Sequence, residues 1–256
     1  MSATTRRALK VSLVAALCTS AALGLSACGP TGTAGAASGK EGPFPGLTGP
    51  QIADRAIKAT KSATSLTLDA DITDKEGRTK TFMALDTKGE CAGTITENTT
   101  GTLEILRTGG LAYLRFDEAF LRDQSEGSSP EETAAVLKTL QGRWVKADTN
   151  DPDVKDGLAM CDLDTLLSGF ETGGNAARRG AETTVGGKKA LTLTEKDGAT
   201  TYKIYVATEG EPYLLKIDIA GGKEPGTMSF RDYGKPVPAK KPAAKDVVDL
   251  DALGGE

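Results

Sequence analysis

The chain has 256 residues, of which 31 are basic, 35 acidic and none histidine; 38% are hydrophobic and 5% aromatic. The lack of histidine excludes Ser-His-Asp and Cys-His catalysis and removes the commonest transition-metal ligand; no G-x-x-x-x-G-K-[ST] loop, G-x-S-x-G or S-x-x-K occurs, so neither a cofactor nor an enzymatic role is expected. A net charge of −4 argues against broad nucleic-acid binding, which needs basic surface to neutralise phosphates.

Residues 1–10 hold Arg6, Arg7 and Lys10 without an acid, and a mostly apolar run follows from Val11 to Leu25. Basic, then apolar, then small residues is the order of an export signal. The run is shorter than the roughly 20 residues of a spanning helix, although a retained membrane anchor is the alternative. Leu25-Ser26-Ala27-Cys28 has the form of a bacterial lipobox, which makes 1–27 a lipoprotein signal peptide and Cys28 the lipidation site, its thiol carrying diacylglycerol. Two acyl chains anchor a protein stably where one does so only reversibly. The expected location is the outer face of the cytoplasmic membrane. Thr5 to Lys10 partly matches a twin-arginine motif, so both export routes stay open. Removal of residues 1–27 leaves 28 basic against 35 acidic residues, net −7. That balance argues against adhesion to anionic lipid by charge alone.

Residues 28–46 form the lipidated cysteine and a Gly, Ala, Thr, Ser and Pro tether with almost no apolar bulk. Such a coil spans about 23 Å r.m.s.. Residues 47–252 are long enough for one buried core, and 253–256 are a polar tail.

A helix is predicted from Thr48 to Ser62, with Thr48 as cap, Pro50 in the first turn, and Ile52, Ala53, Ala56 and Ile57 at helical spacing. The period then changes to two. Leu66, Leu68, Ala70 and Ile72 alternate with Thr67, Asp69 and Asp71, and Asp74 to Gly77 turns the chain into a second strand over 79–86. Strands over 94–99, 102–107 and 111–116 extend this into a meander. A helix capped by Ser129 and ended by Gly142 carries a narrow stripe of Val136, Leu137 and Leu140. Arg143-Trp144-Val145 reads as a short strand, and Asp162 as the cap of a helix including Leu163, Leu166, Leu167 and Phe170. Thr183 to Val185 leads into a strand over 189–195, Asp197-Gly198 marks a hairpin to 201–207, and strands over 213–220 and 227–233 follow. Nine or ten strands with two or three inserted helices indicate an α+β fold, a single antiparallel sheet curved around its helices.

After processing, Cys91 and Cys161 are the remaining thiols. In an exported domain oxidation is the default, so a disulfide is the natural reading, closing a loop worth about 4 kcal/mol by chain entropy. The alternatives are a redox or a metal pair, for which the C-x-x-C spacing and histidine are missing. The carboxylate pairs Asp69/Asp71, Asp162/Asp164 and Asp249/Asp251 sit at i, i+2; the first lies on the polar face of its strand.

The lipobox, the tether, Gly142-Arg143-Trp144-Val145, the segment from Tyr205 to Leu215 (YVATEGEPYLL) and Phe230 to Val237 (FRDYGKPV) together resemble the actinobacterial LppX/LprAFG-type lipoproteins over most of residues 47–250. The resemblance implies a LolA-like half-barrel of antiparallel strands with helices packed on its concave side, holding acyl chains or glycolipids between sheet and helices. The low apolar content, with Thr or Lys at several strand positions, keeps a second reading open. In it the core is filled and the domain is a non-enzymatic interaction or sensor module for an envelope protein or cell-wall partner.

Overall fold

The computed structural model describes residues 42–97, 100–149, 154, 158–172 and 176–249. The expected signal peptide, Cys28, most of the tether and the 253–256 tail lie outside them.

Helix α1 (Gly49–Lys61) starts at an extended Thr48 whose hydroxyl accepts the Gln51 N–H, while the Gln51 side chain accepts the Thr48 N–H at 2.8 Å. This reciprocal cap satisfies two end donors, and Pro50 suits a first turn that lacks an N–H partner anyway. Ile52, Ala53 and Ala56 point into the core. A Cβ on Gly49 would fall 2.0 Å from the Ala177 carbonyl oxygen, so the helix start seats directly against that backbone.

Strands β1 (Ser65–Thr73), β2 (Arg78–Asp86), β3 (Cys91–Glu97), β4 (Gly101–Thr108) and β5 (Leu111–Phe116) form the antiparallel meander. Then come α2 (Glu118–Gln124), α3 (Pro130–Leu140), β6 (Trp144–Asp148) and α4 (Leu163–Leu167). The last third supplies β7 (Arg178–Val185), β8 (Lys188–Asp197), β9 (Thr200–Ala207), β10 (Leu214–Gly221), β11 (Gly226–Arg231) and β12 (Val247–Asp249). All twelve make one open, curved sheet in the order β12-β6-β5-β4-β3-β2-β1-β11-β10-β9-β8-β7. The two meanders join through β1 and β11, whose alternation puts Leu68 opposite Phe230 and Ala70 opposite Met228 on one face.

The α+β class and the curved antiparallel sheet are as expected, with differences in detail. Among the described residues twelve strands replace nine or ten, and β12 pairs parallel to β6. Four α-helices have described ranges where two or three were expected. The unexpected one is α2, a two-turn helix capped by Asp117, which accepts the Phe120 N–H at 2.8 Å and, from the other carboxylate oxygen, the Thr102 N–H at 2.9 Å. Burial works against ionisation of Asp117, but these donors hold its pKa below the usual range. Phe170 lies beyond the end of α4 and packs edge-on against Phe230, centroids 5.8 Å apart.

Helices α1 and α4 share one apolar core with the inner sheet face. The outer face is crossed by the chain between β11 and β12. Ser65 donates its hydroxyl to the Lys235 carbonyl at 2.7 Å near one end of this strap, and Lys146 pairs with Asp249 at 2.8 Å at the other. On the same cross-strand row Thr67, Ala84, Leu106 and Tyr113 point outward by register yet are buried.

One polar knot fixes α1 on the sheet. The register shifts between Leu214 and Lys216, which frees the Leu214 backbone. Its N–H donates to Thr60 Oγ1 at 3.0 Å, and its carbonyl accepts from Tyr233 Oη at 2.6 Å. Tyr213 stacks on Tyr233, centroids 4.0 Å apart, and burial pushes the Tyr233 phenol well above its ordinary pKa, so it stays a donor. Thr60→Val strands a buried N–H and is expected to cost about 1–3 kcal/mol; an unchanged urea midpoint would contradict it.

Cys91 of β3 and Cys161 just before α4 are joined in a disulfide, Cα atoms 5.4 Å apart and 70 residues apart in sequence. It pins the α4 segment over the inner face. Replacing both by Ala should lower stability by about 4 kcal/mol, subject to how compact the unfolded chain is. Titratable thiols in native, unreduced protein would refute the bridge.

Candidate ligand groove on the inner face

Cross-strand register sorts the inner side chains into four rows, two residues and about 7 Å apart along each strand. The first holds Leu66, Leu85, Cys91, Arg107 and Ala112. The second holds Leu191, Val206, Phe230, Leu68, Met83, Ile105 and Leu114. All of these except the half-buried Arg107 and Leu114 are 3% exposed or less, which makes these rows a close-packed core rather than a cavity. Gly93 belongs to the second row, and a Cβ there would fall 2.2 Å from Met83 Sδ, so its missing side chain makes space for Met83.

Burial then fades unevenly. In the third row Leu193, Ile217 and Ala70 are still buried while Ile204, Met228, Ile95, Leu103 and Phe116 are half-buried, and in the fourth so are Tyr202, Ile219 and Ile72. Apolar residues thus line the inner face from β9 to β5 beyond the helical cover, interrupted on β2 by Thr79 and Thr81. Eight strands separated by about 4.8 Å give this shelf a length of roughly 34 Å. At the β5 end Phe120 of α2 stacks on Phe116, centroids 5.1 Å apart, and forms a wall. At the other end a pocket of about 410 Å³ is lined by Tyr202 and Ile219 together with Thr200 and the turn Gly222–Glu224. A second, of about 490 Å³, lies on the other side of that turn against Thr73, Asp74 and Lys75. The geometry is an apolar floor opening onto polar turns, suited to a long apolar chain with a polar end.

The sequence left open whether lysines intrude on this face. Lys80, Lys203 and Lys216 lie on the outer face by register, and Thr79 and Thr81 are the polar inner positions of β2. Asp69 and Asp71 also face outward. Arg231 approaches Asp69 at 3.5 Å, and Arg78 binds Asp71 through Nε at 2.6 Å, a hydrogen bond that holds the Asp71 carboxyl below its usual range. Asp162 caps α4 through the Thr165 N–H at 2.7 Å, which lowers its pKa in turn. Asp249 pairs with Lys146, while Asp251 and Cys28 lie outside the described residues. Among the described residues no group of three or more His, Cys, Asp or Glu is placed to hold a metal, and no helix is long and apolar enough to cross a membrane.

The groove residues themselves were legible only as strand alternation, because nothing in a single strand says how far a helix will reach over it. Graded burial has a direct consequence for stability. Met83→Ala in the second row should cost about 2–5 kcal/mol, whereas Ile72→Ala in the fourth should cost well under half as much. Equal losses in denaturant titrations would show that the fourth row is core.

No protein-family model matches the chain. No curated protein matches it either. Among solved structures it is similar to lipoprotein LppX from Mycobacterium tuberculosis, with 13% identity and a TM-score of 0.45 over 74% of this chain and 97% of that one. It is also similar to LprF from Mycobacterium bovis, with 13% identity and a TM-score of 0.49 over 77% of this chain and 97% of that one. A LolA superfamily protein from Nitrosomonas europaea shares 9% identity, with a TM-score of 0.26 over 76% and 98% of the two chains. LppX and LprF are of the type that the sequence motifs resemble.

Proposed function

We propose that this chain is an exported lipoprotein, anchored through diacylated Cys28 at the outer face of the cytoplasmic membrane, whose inner groove binds or transfers the acyl chains of an envelope lipid or glycolipid. The observation that carries this reading is the half-exposed apolar shelf beyond the helical cover, from Tyr202 and Ile219 through Ile72 to Ile95 and Leu103. Left in water, such a shelf forfeits burial at about 25 cal/mol per Å². An acyl chain laid along it recovers about 0.8 kcal/mol per buried methylene, so eight methylenes supply roughly 6 kcal/mol before the cost of association. The polar turns Thr73–Lys75 and Gly222–Pro225 stand where a headgroup would emerge. The filled first two rows support a second reading, in which the core is filled and the domain is a non-enzymatic interaction or sensor module working by surface contact with a protein or cell-wall partner.

Protein extracted from its native membrane in mild detergent and examined by native mass spectrometry should carry co-purifying lipid. Ile219→Glu should remove that lipid without unfolding the domain. A clean apo mass from several preparations would contradict lipid carriage. Cys28→Ala should release the protein from the membrane and lower its mass by the diacylglycerol; unchanged partitioning would contradict the anchor.

A further inference from the structure

The inner shelf is apolar on both sides of β2 but not on β2 itself. In the third row Thr81 stands between Ala70 of β1 and Ile95 of β3, and in the fourth Thr79 stands between Ile72 and Glu97. Both threonines are half-buried, and among the described residues neither hydroxyl makes a side-chain hydrogen bond. The acids of the fourth row, by contrast, are engaged: Glu97 accepts the Thr100 hydroxyl at 2.7 Å, and Glu195 accepts the Ala176 N–H at 3.2 Å. Two unsatisfied hydroxyls, two residues and about 7 Å apart on one strand, thus interrupt an apolar path.

The path continues on either side of the break. Toward β9 it runs over Ile72, Met228, Ile219 and Ile204, four strand spacings or about 19 Å. Toward β5 it runs over Ile95, Leu103 and Phe116 to the Phe120 wall, three spacings or about 14 Å. On that side it narrows to the third row alone, because the fourth holds Glu97 and Gly101. The break also lies against the mouth: Thr73 pairs with Arg78, so Thr79 is the first inner position of β2 after the turn that lines the 490 Å³ pocket. One unbroken acyl chain laid from β9 to β5 would strip water from both hydroxyls and offer no acceptor in return. A lipid with two ester-linked chains carries acceptors at the point where its chains meet.

Resting on the acyl-binding reading of the groove, we propose that Thr79 and Thr81 donate to the ester carbonyls of a diacylglycerol-based lipid. Its two tails leave this junction in opposite directions, one toward β9 and one toward β5, and its headgroup emerges at the β1–β2 turn. The two threonines are then specificity-determining residues, which favour two ester-linked chains over a single chain and over ether-linked chains of the same length.

Native mass spectrometry of the full chain, in detergent micelles doped with equimolar dipalmitoylglycerol, its dihexadecyl ether analogue and palmitic acid, reads this preference as relative adduct intensity. The parent should carry the diester roughly tenfold over the diether, the scale of two neutral hydrogen bonds, and should carry less palmitic acid than diester. Thr79→Val/Thr81→Val keeps the β-branched shape that suits a strand. That variant should hold the diether as the parent does, lose the preference for the diester and keep the parental melting temperature. Equal diester and diether adducts in the parent, or an undiminished preference in the variant, would overturn the junction while leaving lipid binding in place. Palmitic acid as the dominant adduct would overturn it in favour of a single chain. Absence of every adduct would remove the groove reading and the junction with it.

Discussion

A mismatch of lengths governs this molecule. Strands such as β1 run nine residues, about 30 Å, and keep an apolar inner face along most of that distance. The cover is a single layer of helix about 10 Å across, and α1 touches β7, β9 and β10, so it lies across the strands rather than along them. A layer of that width shields about two rows spaced 7 Å apart. The first two rows are accordingly sealed except at Arg107 and Leu114, burial reaches Leu193, Ile217 and Ala70 of the third, and the rest of the third and the fourth stay half-open. An apolar shelf of this kind exists because the cover is short, and the cover is short because the Leu214 backbone ties α1 at Thr60 and the disulfide ties α4 at Cys91.

Both ties sit at the sealed end. Thr60 and Tyr233 satisfy a backbone unit that a β-bulge leaves unpaired, so the irregularity in β10 and the placement of α1 are one feature. Cys91 belongs to the first row, which fixes the α4 segment over that end and leaves the mouth at the far turns. Rigidity at one end and openness at the other suits a groove that admits a chain from its mouth.

Much of the architecture was legible from local signals. The Thr48 cap with Gln51, the period-two run from Leu66 to Ile72, the Ser129-Pro130 helix start and the Asp197-Gly198 turn each specify their element within a few residues, and each is present. What was not legible is non-local. Helix α2 is only seven residues, too short for a periodic stripe, although Asp117 followed by Glu118 is a cap signal that could have marked it. The pairing of β1 with β11 across some 160 residues, and of β12 with β6, depends on how two meanders meet. The groove is of the same kind, since each half-buried residue looks like any other inward strand position. The low apolar content came from Thr and Lys at strand positions; the register sends Lys80, Lys203 and Lys216 outward but keeps Thr79 and Thr81 on the inner face.

Photo-crosslinking with a diazirine-bearing fatty acyl lipid, followed by peptide mapping, separates an open acyl-binding surface from loosely packed core at the half-buried inner positions. An open surface predicts adducts on Ile72, Ile95, Leu103 and Ile219 and none on Met83 or Leu68. Adducts spread over the outer face, or none above the level of a non-acylated diazirine control, would contradict it.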